Sequence, residues 1–420
     1  MSNSTTYINS RFKKYLMYWI LLVFSVVFYE FIDLQTNLNN LMIYTMFLSP
    51  VFYVFYHKRL EWSDASLIVV FLLMLMSNII HPEYFRISTV LYSGLFFTTF
   101  LLYKSLCKTN TITIIQYQKI IKYIIYAYAI VLIIQQLQTA LGLPVFNRIP
   151  WAFNEAYKLN TLSQEPSNTL LIMPLLMFSY IKMAEILRKE KRYHFVNDIK
   201  KDKYVWLAFL YVCLTCGSFT VFFSLPVFFC YFINRKTLRY LPFVLFVGLG
   251  IGLVAFFVIQ KSNTFLLERF TNLLQNTNIT AGNIGGDSSS SVRTMPFIVF
   301  FQSFNFFDIS TWMGHGIDQF ELRTSIALFG NNYKLGAGNK NILALFYDYG
   351  LIAGLFFFYF LIKNTAPKLW SFEMLFYILL FTIIDFNHYV LWIYILLMYT
   401  NMYFKKKYAK LQATQKSIDG

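Results

Sequence analysis

Charge is scarce in this chain. Only 13% of its 420 residues are Asp, Glu, Lys or Arg, about half of what soluble domains carry. The mean hydropathy is +0.51, and the two figures together exclude a soluble globular protein. Acidic groups are the rarer sign, with 20 Asp and Glu against 36 Lys and Arg. No Asp-x-Asp, P-loop or zinc motif occurs, which argues against a nucleotide-sugar or ATP site and against a metal. Cysteine is limited to Cys107, Cys213, Cys216 and Cys230. Cys213-Leu-Thr-Cys216 has metal or redox spacing, but no second Cys or His pair follows it. These thiols therefore read as packing residues in apolar segments. No repeat of 20 to 50 residues is present, which excludes a solenoid. Charge inside the apolar runs is rare, which counts against an ion-coupled transporter.

Long apolar runs are what the chain has, from Tyr15 to Phe404. A membrane span needs about 20 such residues at ~1.5 Å rise each. The expected architecture is an all-α, polytopic membrane protein with about twelve transmembrane helices. The spans fall near 15–33, 40–56, 65–80, 87–106, 121–142, 168–187, 204–217, 219–233, 241–260, 341–362, 370–386 and 389–404. No cleavable signal peptide is expected, because the first run follows Arg11, Lys13 and Lys14 and is long enough to remain as a helix.

The net charge of +16 tests this layout. With the N-terminus in the cytoplasm, 27 of the 36 Lys and Arg fall in cytoplasmic segments and nine fall outside. That asymmetry is the positive-inside rule. The basic excess is then explained by anionic lipid and requires no nucleic acid. Segment 1–260 holds spans one to nine with an outer loop at 143–167. Segment 261–340 is a large extracytoplasmic loop with short helices. Segment 341–404 holds the last three spans, and 405–420 is a basic cytoplasmic tail.

Candidate chemistry gathers on the outer side, where cations are few. Arg148, Arg269, Arg293, Arg323 and Lys340 lie there and suit an anion site. In LNTLSQEPSNTLL, Glu165 precedes Pro166 at the start of the sixth span. It reads either as a carboxylate at the positive end of the helix dipole or as a general base, with Ser167 or Asn168 as caps. The run NTNITAGNIGGDSSSS reads as a flexible stretch of the loop. Gly314-His315-Gly316 follows Arg293 by 21 residues. Its glycines permit a tight turn or a close backbone approach, and its imidazole is either a base or a turn residue. The glycine-rich entry to the tenth span, with Lys340, could hold a phosphate at free helix amides.

These features resemble the O-antigen and capsular polysaccharide polymerases of the Wzy type, in the same broad superfamily as the O-antigen ligases. The resemblance rests on Gln164-Glu165-Pro166-Ser167 before a span and on the short paired spans around Leu214-Thr215-Cys216-Gly217-Ser218. It rests also on Arg293 followed by Gly314-His315-Gly316 and Phe320, and on the entry segment Asn341 to Gly354. It covers most of the chain. Phe219 stands where many relatives carry Arg, and Gly338-Asn339-Lys340-Asn341 lacks the His-Asn pair of the ligases, which favours polymerase over ligase.

The resemblance implies a membrane glycosyltransferase of GT-C-like architecture in the bacterial inner membrane, with both termini cytoplasmic. It implies polymerisation of undecaprenyl-pyrophosphate-linked repeat units at the outer face, without metal or cofactor. Donor and acceptor are both lipid-linked glycans, and a chain-length regulator is a further partner. The expected catalytic residues are Glu165, Arg293 and His315. Arg148, Arg269, Arg323, Lys340, Gly314 and Gly316 are expected to bind substrate or pyrophosphate. The competing readings are an O-antigen ligase, a lipid-linked oligosaccharide flippase and a multispan acyltransferase.

Overall fold

The computed structural model describes residues 2–33, 38–56, 61–109, 112–148, 158–190, 192–193, 195–218, 220–233, 288–329 and 340–418. These residues form helices joined by short connections, with one two-stranded antiparallel ribbon, β1 (Ile32–Asp33) with β2 (Leu38–Asn39). The helices in the first part are α1 (Ser2–Ser25), α2 (Asn40–Tyr56), α3 (Trp62–Ile80), α4 (Ile87–Lys108) and α5 (Ile114–Ala140). They continue as α6 (Pro166–Arg188), α7 (Phe195–Lys201), α8 (Lys203–Thr215) and α9 (Val221–Cys230). The later part holds α10 (Ser288–Ser303), α11 (Ile309–Met313), α12 (Gln319–Phe329), α13 (Leu343–Thr365), α14 (Phe372–Ile383) and α15 (Tyr389–Ile418).

The all-helical membrane class is as expected, but twelve full spans are not found. Among the described residues, α4, α5, α6 and α13 are long and apolar enough to cross a bilayer. Five other apolar stretches, among them Asp64–Ile80 of α3, have only 10–17 residues. At ~1.5 Å per residue they reach at most about 26 Å, short of a hydrocarbon core near 30 Å. The expected ninth span, 241–260, lies outside the described residues. Segment 261–340 is expected to carry short helices and a flexible serine-ended run. Its described part is folded into α10, α11 and α12, and α10 begins at Ser288 inside the serine run expected to be flexible. Serine is a good helix starter because its hydroxyl can take an orphan amide.

α6 and α15 make the centre. Every residue of α6 from Asn168 to Ile181, and of α15 from Tyr389 to Met402, is buried. A helix apolar on all sides belongs inside a bundle. α6 packs on α15 and α5, α2 on α4, and α13 on α3. Trp392 of α15 stacks on Phe96 of α4 with ring centroids 5.3 Å apart. Cys216 serves packing, its thiol donating to the Leu159 carbonyl at 2.9 Å.

Helices α3, α4 and α13 carry polar groups at both ends. At one end Lys104 of α4 bonds Asp64 of α3 at 2.6 Å, Glu61 at 2.8 Å and Asn364 of α13 at 2.8 Å. The other end of the same helices holds the segment around Gly314.

Candidate functional site

The site is built on a broken helix. α13 loses helical geometry at Gly350, where φ is 89° and ψ 162°. The Tyr347 and Asp348 carbonyls just before the break accept the backbone amides of His315 at 2.9 Å and Gly316 at 3.2 Å. The linker between α11 and α12 thus lies backbone to backbone against the break. Its glycines are steric requirements. A Cβ on Gly314 (φ +96°) would sit 2.3 Å from the Asp348 carbonyl oxygen, and one on Gly350 would sit 2.1 Å from that of Trp312. The end of α3 closes the same knot. Ser77 Oγ donates to the Asp348 carbonyl at 2.9 Å, and His81 Nε2 lies 3.2 Å from the Gly314 carbonyl.

His315 is held face-on against Tyr347, with centroids 4.0 Å apart and planes 11° apart. Its Nδ1 lies 3.1 Å from the Tyr347 carbonyl. A carbonyl oxygen only accepts, so Nδ1 carries the proton and Nε2 the lone pair. Nε2 lies 3.2 Å from Ser310 Oγ. Burial pushes the imidazole pKa below its usual value, and the Arg323 and His81 charges add to this against the opposing pull of the Tyr347 carbonyl and Asp308. The ring is therefore neutral near pH 7 and able to accept a proton at Nε2. A cavity of about 10 Å³, roughly one water, adjoins it. Phe300, Phe304 and Phe346 wall this cavity, and Thr311, whose buried hydroxyl has no hydrogen-bond partner among the described residues, lines it.

An ionic clamp lies alongside. Asp318, in the left-handed region at φ 61°, receives Arg86 Nη1 at 2.7 Å and Lys340 Nζ at 2.7 Å. Lys340 also pairs with Glu321. Burial disfavours the Asp318 carboxylate, but Lys340 and Arg86 outweigh it and hold its pKa below the usual range. Burial likewise opposes the charge on Lys340, and Asp318 and Glu321 reverse that, raising its pKa. The Asp348 carboxylate accepts the Phe320 amide at 2.8 Å, which caps the start of α12. Arg323 lies 5.7 Å above the Tyr347 ring.

The expected site residues divide between two places. Gly314, His315, Gly316, Arg323 and Lys340 come together. Arg293 is half-buried on α10. From that helix Met295 and Val299 pack in one cluster with Phe320, Leu328, Ala344 and Tyr347. Lys340 differs from the free phosphate ligand expected of it, because two carboxylates already neutralise its charge. Glu165 stands apart from this group, exposed ahead of α6. It is the N-cap residue but its side chain caps no amide; instead Ser167, expected as a cap, donates its hydroxyl to Glu165 Oε2 at 3.0 Å. The Glu165 segment meets the start of α15, where the Gln164 amide donates to Tyr389 Oη at 3.3 Å. Arg148 follows Asn147, whose amide ties Val27 and Thr161 together at 2.9 and 2.8 Å. Arg269 lies outside the described residues.

Several participants were not singled out in the sequence. Arg86, Asp318 and Glu321 form the clamp, Tyr347 and Asp348 take the linker, and Ser310 meets the imidazole. One local sign was present: Asp308 two residues before Ser310 marks a capped helix start, and its carboxylate accepts the Ser310 amide at 3.1 Å. The contacts across more than thirty positions left no such sign. Comparison with known proteins finds no matching family profile, no matching curated protein and no matching solved structure.

Proposed function

We propose that this chain is a membrane glycosyltransferase that polymerises undecaprenyl-pyrophosphate-linked repeat units into O-antigen or capsular polysaccharide. In this reading it is an inner-membrane protein of GT-C-like architecture with cytoplasmic termini and an outward-facing site. The observation that carries the reading is the neutral imidazole of His315, its lone-pair nitrogen fixed by the Tyr347 carbonyl, with Arg323 5.7 Å above the Tyr347 ring on which the imidazole stacks. A base beside cations suits transfer of a sugar from a pyrophosphate leaving group. The positive-inside charge distribution supports an outward-facing site.

The acceptor sugar's hydroxyl oxygen attacks the anomeric carbon at the reducing end of the growing glycan. The bond from that carbon to the pyrophosphate oxygen breaks, and its electron pair leaves with the pyrophosphate. The acceptor proton passes to His315. Arg293 and Arg323 meet the pyrophosphate charge, for which a guanidinium fork is suited. Glu165, on the separate turn, orients a sugar hydroxyl.

Deleting the gene and examining surface polysaccharide tests this. A polymerase deletion leaves single-repeat decoration, whereas unmodified core points to a ligase or flippase. Arg293→Ala is expected to accumulate normally and give only single repeats. Long chains from that variant would remove Arg293 from the site.

A further inference from the structure

We propose that Ser310 is a proton relay between the acceptor sugar and His315, its hydroxyl taking the acceptor's proton as it gives its own to Nε2. This rests on the glycan-transfer reading and adds the group that meets the acceptor. Ser310 stands in the first turn of α11, its amide held by the Asp308 carboxylate at 3.1 Å. Its hydroxyl is 3.2 Å from His315 Nε2. Because the Tyr347 carbonyl, 3.1 Å from Nδ1, fixes that nitrogen as the donor, Nε2 accepts and the Ser310 hydroxyl donates. A hydroxyl, a base and a third group orienting the base are the parts of an activated hydroxyl.

A cavity of about 10 Å³, the size of one water, adjoins the imidazole and is not where the acceptor sits; the acceptor meets Ser310, which is only half-buried. Phe300, Phe304 and Phe346 provide aromatic walls, and the buried Thr311 hydroxyl lacks a partner among the described residues. A buried hydroxyl without a partner costs stability unless something bonds it, and this cavity has room for one water. In the bare arrangement the Nε2 lone pair is already engaged by Ser310. An acceptor hydroxyl therefore reaches the imidazole through Ser310 rather than directly.

The acceptor O–H proton moves to Ser310 Oγ, and the Ser310 proton moves to Nε2. The freed pair on the acceptor oxygen forms the bond to the anomeric carbon, and the carbon–pyrophosphate bond breaks with its pair on the pyrophosphate. The imidazolium then returns its proton to solvent, and Ser310 ends as a neutral hydroxyl. The charged and titratable groups acting on this imidazole are Arg323 from α12, Asp308 ahead of α11 and His81 at the end of α3.

The test complements a deletion strain with Ser310→Ala, Ser310→Thr, Ser310→Cys, His315→Ala and the Ser310→Ala/His315→Ala double variant. The rate of chain growth is normalised to protein in the membrane. Ser310→Ala and Ser310→Cys are expected to slow growth by about tenfold or more, and Ser310→Thr to stay within about threefold. The double variant is expected to be no slower than His315→Ala, because members of one unit are not additive. Three results would each overturn the relay: growth of Ser310→Ala within about twofold of wild type, equal slowing of the threonine and alanine variants, or losses that multiply in the double variant. Long chains in the deletion strain itself would instead remove the polymerase reading and the relay with it.

Discussion

At the scale of single residues, the glycines state their requirement most directly. Gly314, Gly316 and Gly350 all have positive φ, and Gly314 and Gly350 press against carbonyl oxygens of the opposing segment. Gly142 also has positive φ, +66°, but nothing lies within 4 Å of its Cβ position. The comparison separates conformational strain from collision. Gly142→Ala carries only the strain, about 1–2 kcal/mol. Gly350→Ala adds a clash that only backbone movement relieves. Gly350→Ala is therefore expected to lower the melting temperature in detergent well below that of Gly142→Ala. Equal shifts would show that the linker can lift off the break without cost. The tight turn at Gly314-His315-Gly316 was legible from its composition. Its partner was not, since Tyr347 and Asp348 are more than thirty positions away and the sequence carries no mark of the pairing. The role of Glu165 was only half legible: its place before Pro166 announced the start of α6, but its side chain turned to Ser167 rather than to a backbone amide.

At the scale of elements, α3, α4 and α13 are fastened at both ends by polar groups. One fastening is the Arg86–Asp318–Lys340 clamp with the broken helix. The other is Lys104, whose side chain is 5% exposed and bonds Asp64, itself 2% exposed. Removing one member of such a buried pair leaves an uncompensated charge at a cost of about 3–5 kcal/mol. Lys104→Met is thus expected to deplete folded protein in the membrane, and Lys104→Met/Asp64→Asn to recover part of it. A double variant no better than the single would show that Asp64 is not the group left stranded. A second element-scale device appears twice. The Trp312 indole donates to the Phe306 carbonyl at 2.9 Å and the Trp392 indole to the Phe386 carbonyl at 2.8 Å, each folding a turn onto the helix that follows it. The spacing Phe-x5-Trp is visible in both stretches of sequence once this geometry is known. Hydropathy alone drew no distinction between them, because it registers apolar content and not the hydrogen bond of an indole.

For the whole molecule, the charge distribution makes a claim about sidedness that labelling can check. Phe307 is 92% exposed beside the candidate site, and Lys405 is exposed beyond the apolar part of α15. A membrane-impermeant thiol reagent applied to intact cells is expected to label Phe307→Cys and leave Lys405→Cys unlabelled. The reverse pattern would invert the topology and place the site in the cytoplasm. The sequence by itself determined the class of the molecule, since a chain this apolar and this poor in charge has no stable state in water. It determined most helix starts as well, because proline, caps and the ends of apolar runs act over a few residues. Only the tertiary structure decided how many helices are long enough to cross a bilayer, because breaks and caps shorten runs that hydropathy reads as continuous. It alone decided that the Gly-His-Gly linker docks on the break in α13. That choice depends on two carbonyls left unpaired by one glycine and on a backbone approach that only another glycine allows. The environment of His315 followed from that docking, and with it the fixed tautomer, the neutral ring and the neighbouring Ser310.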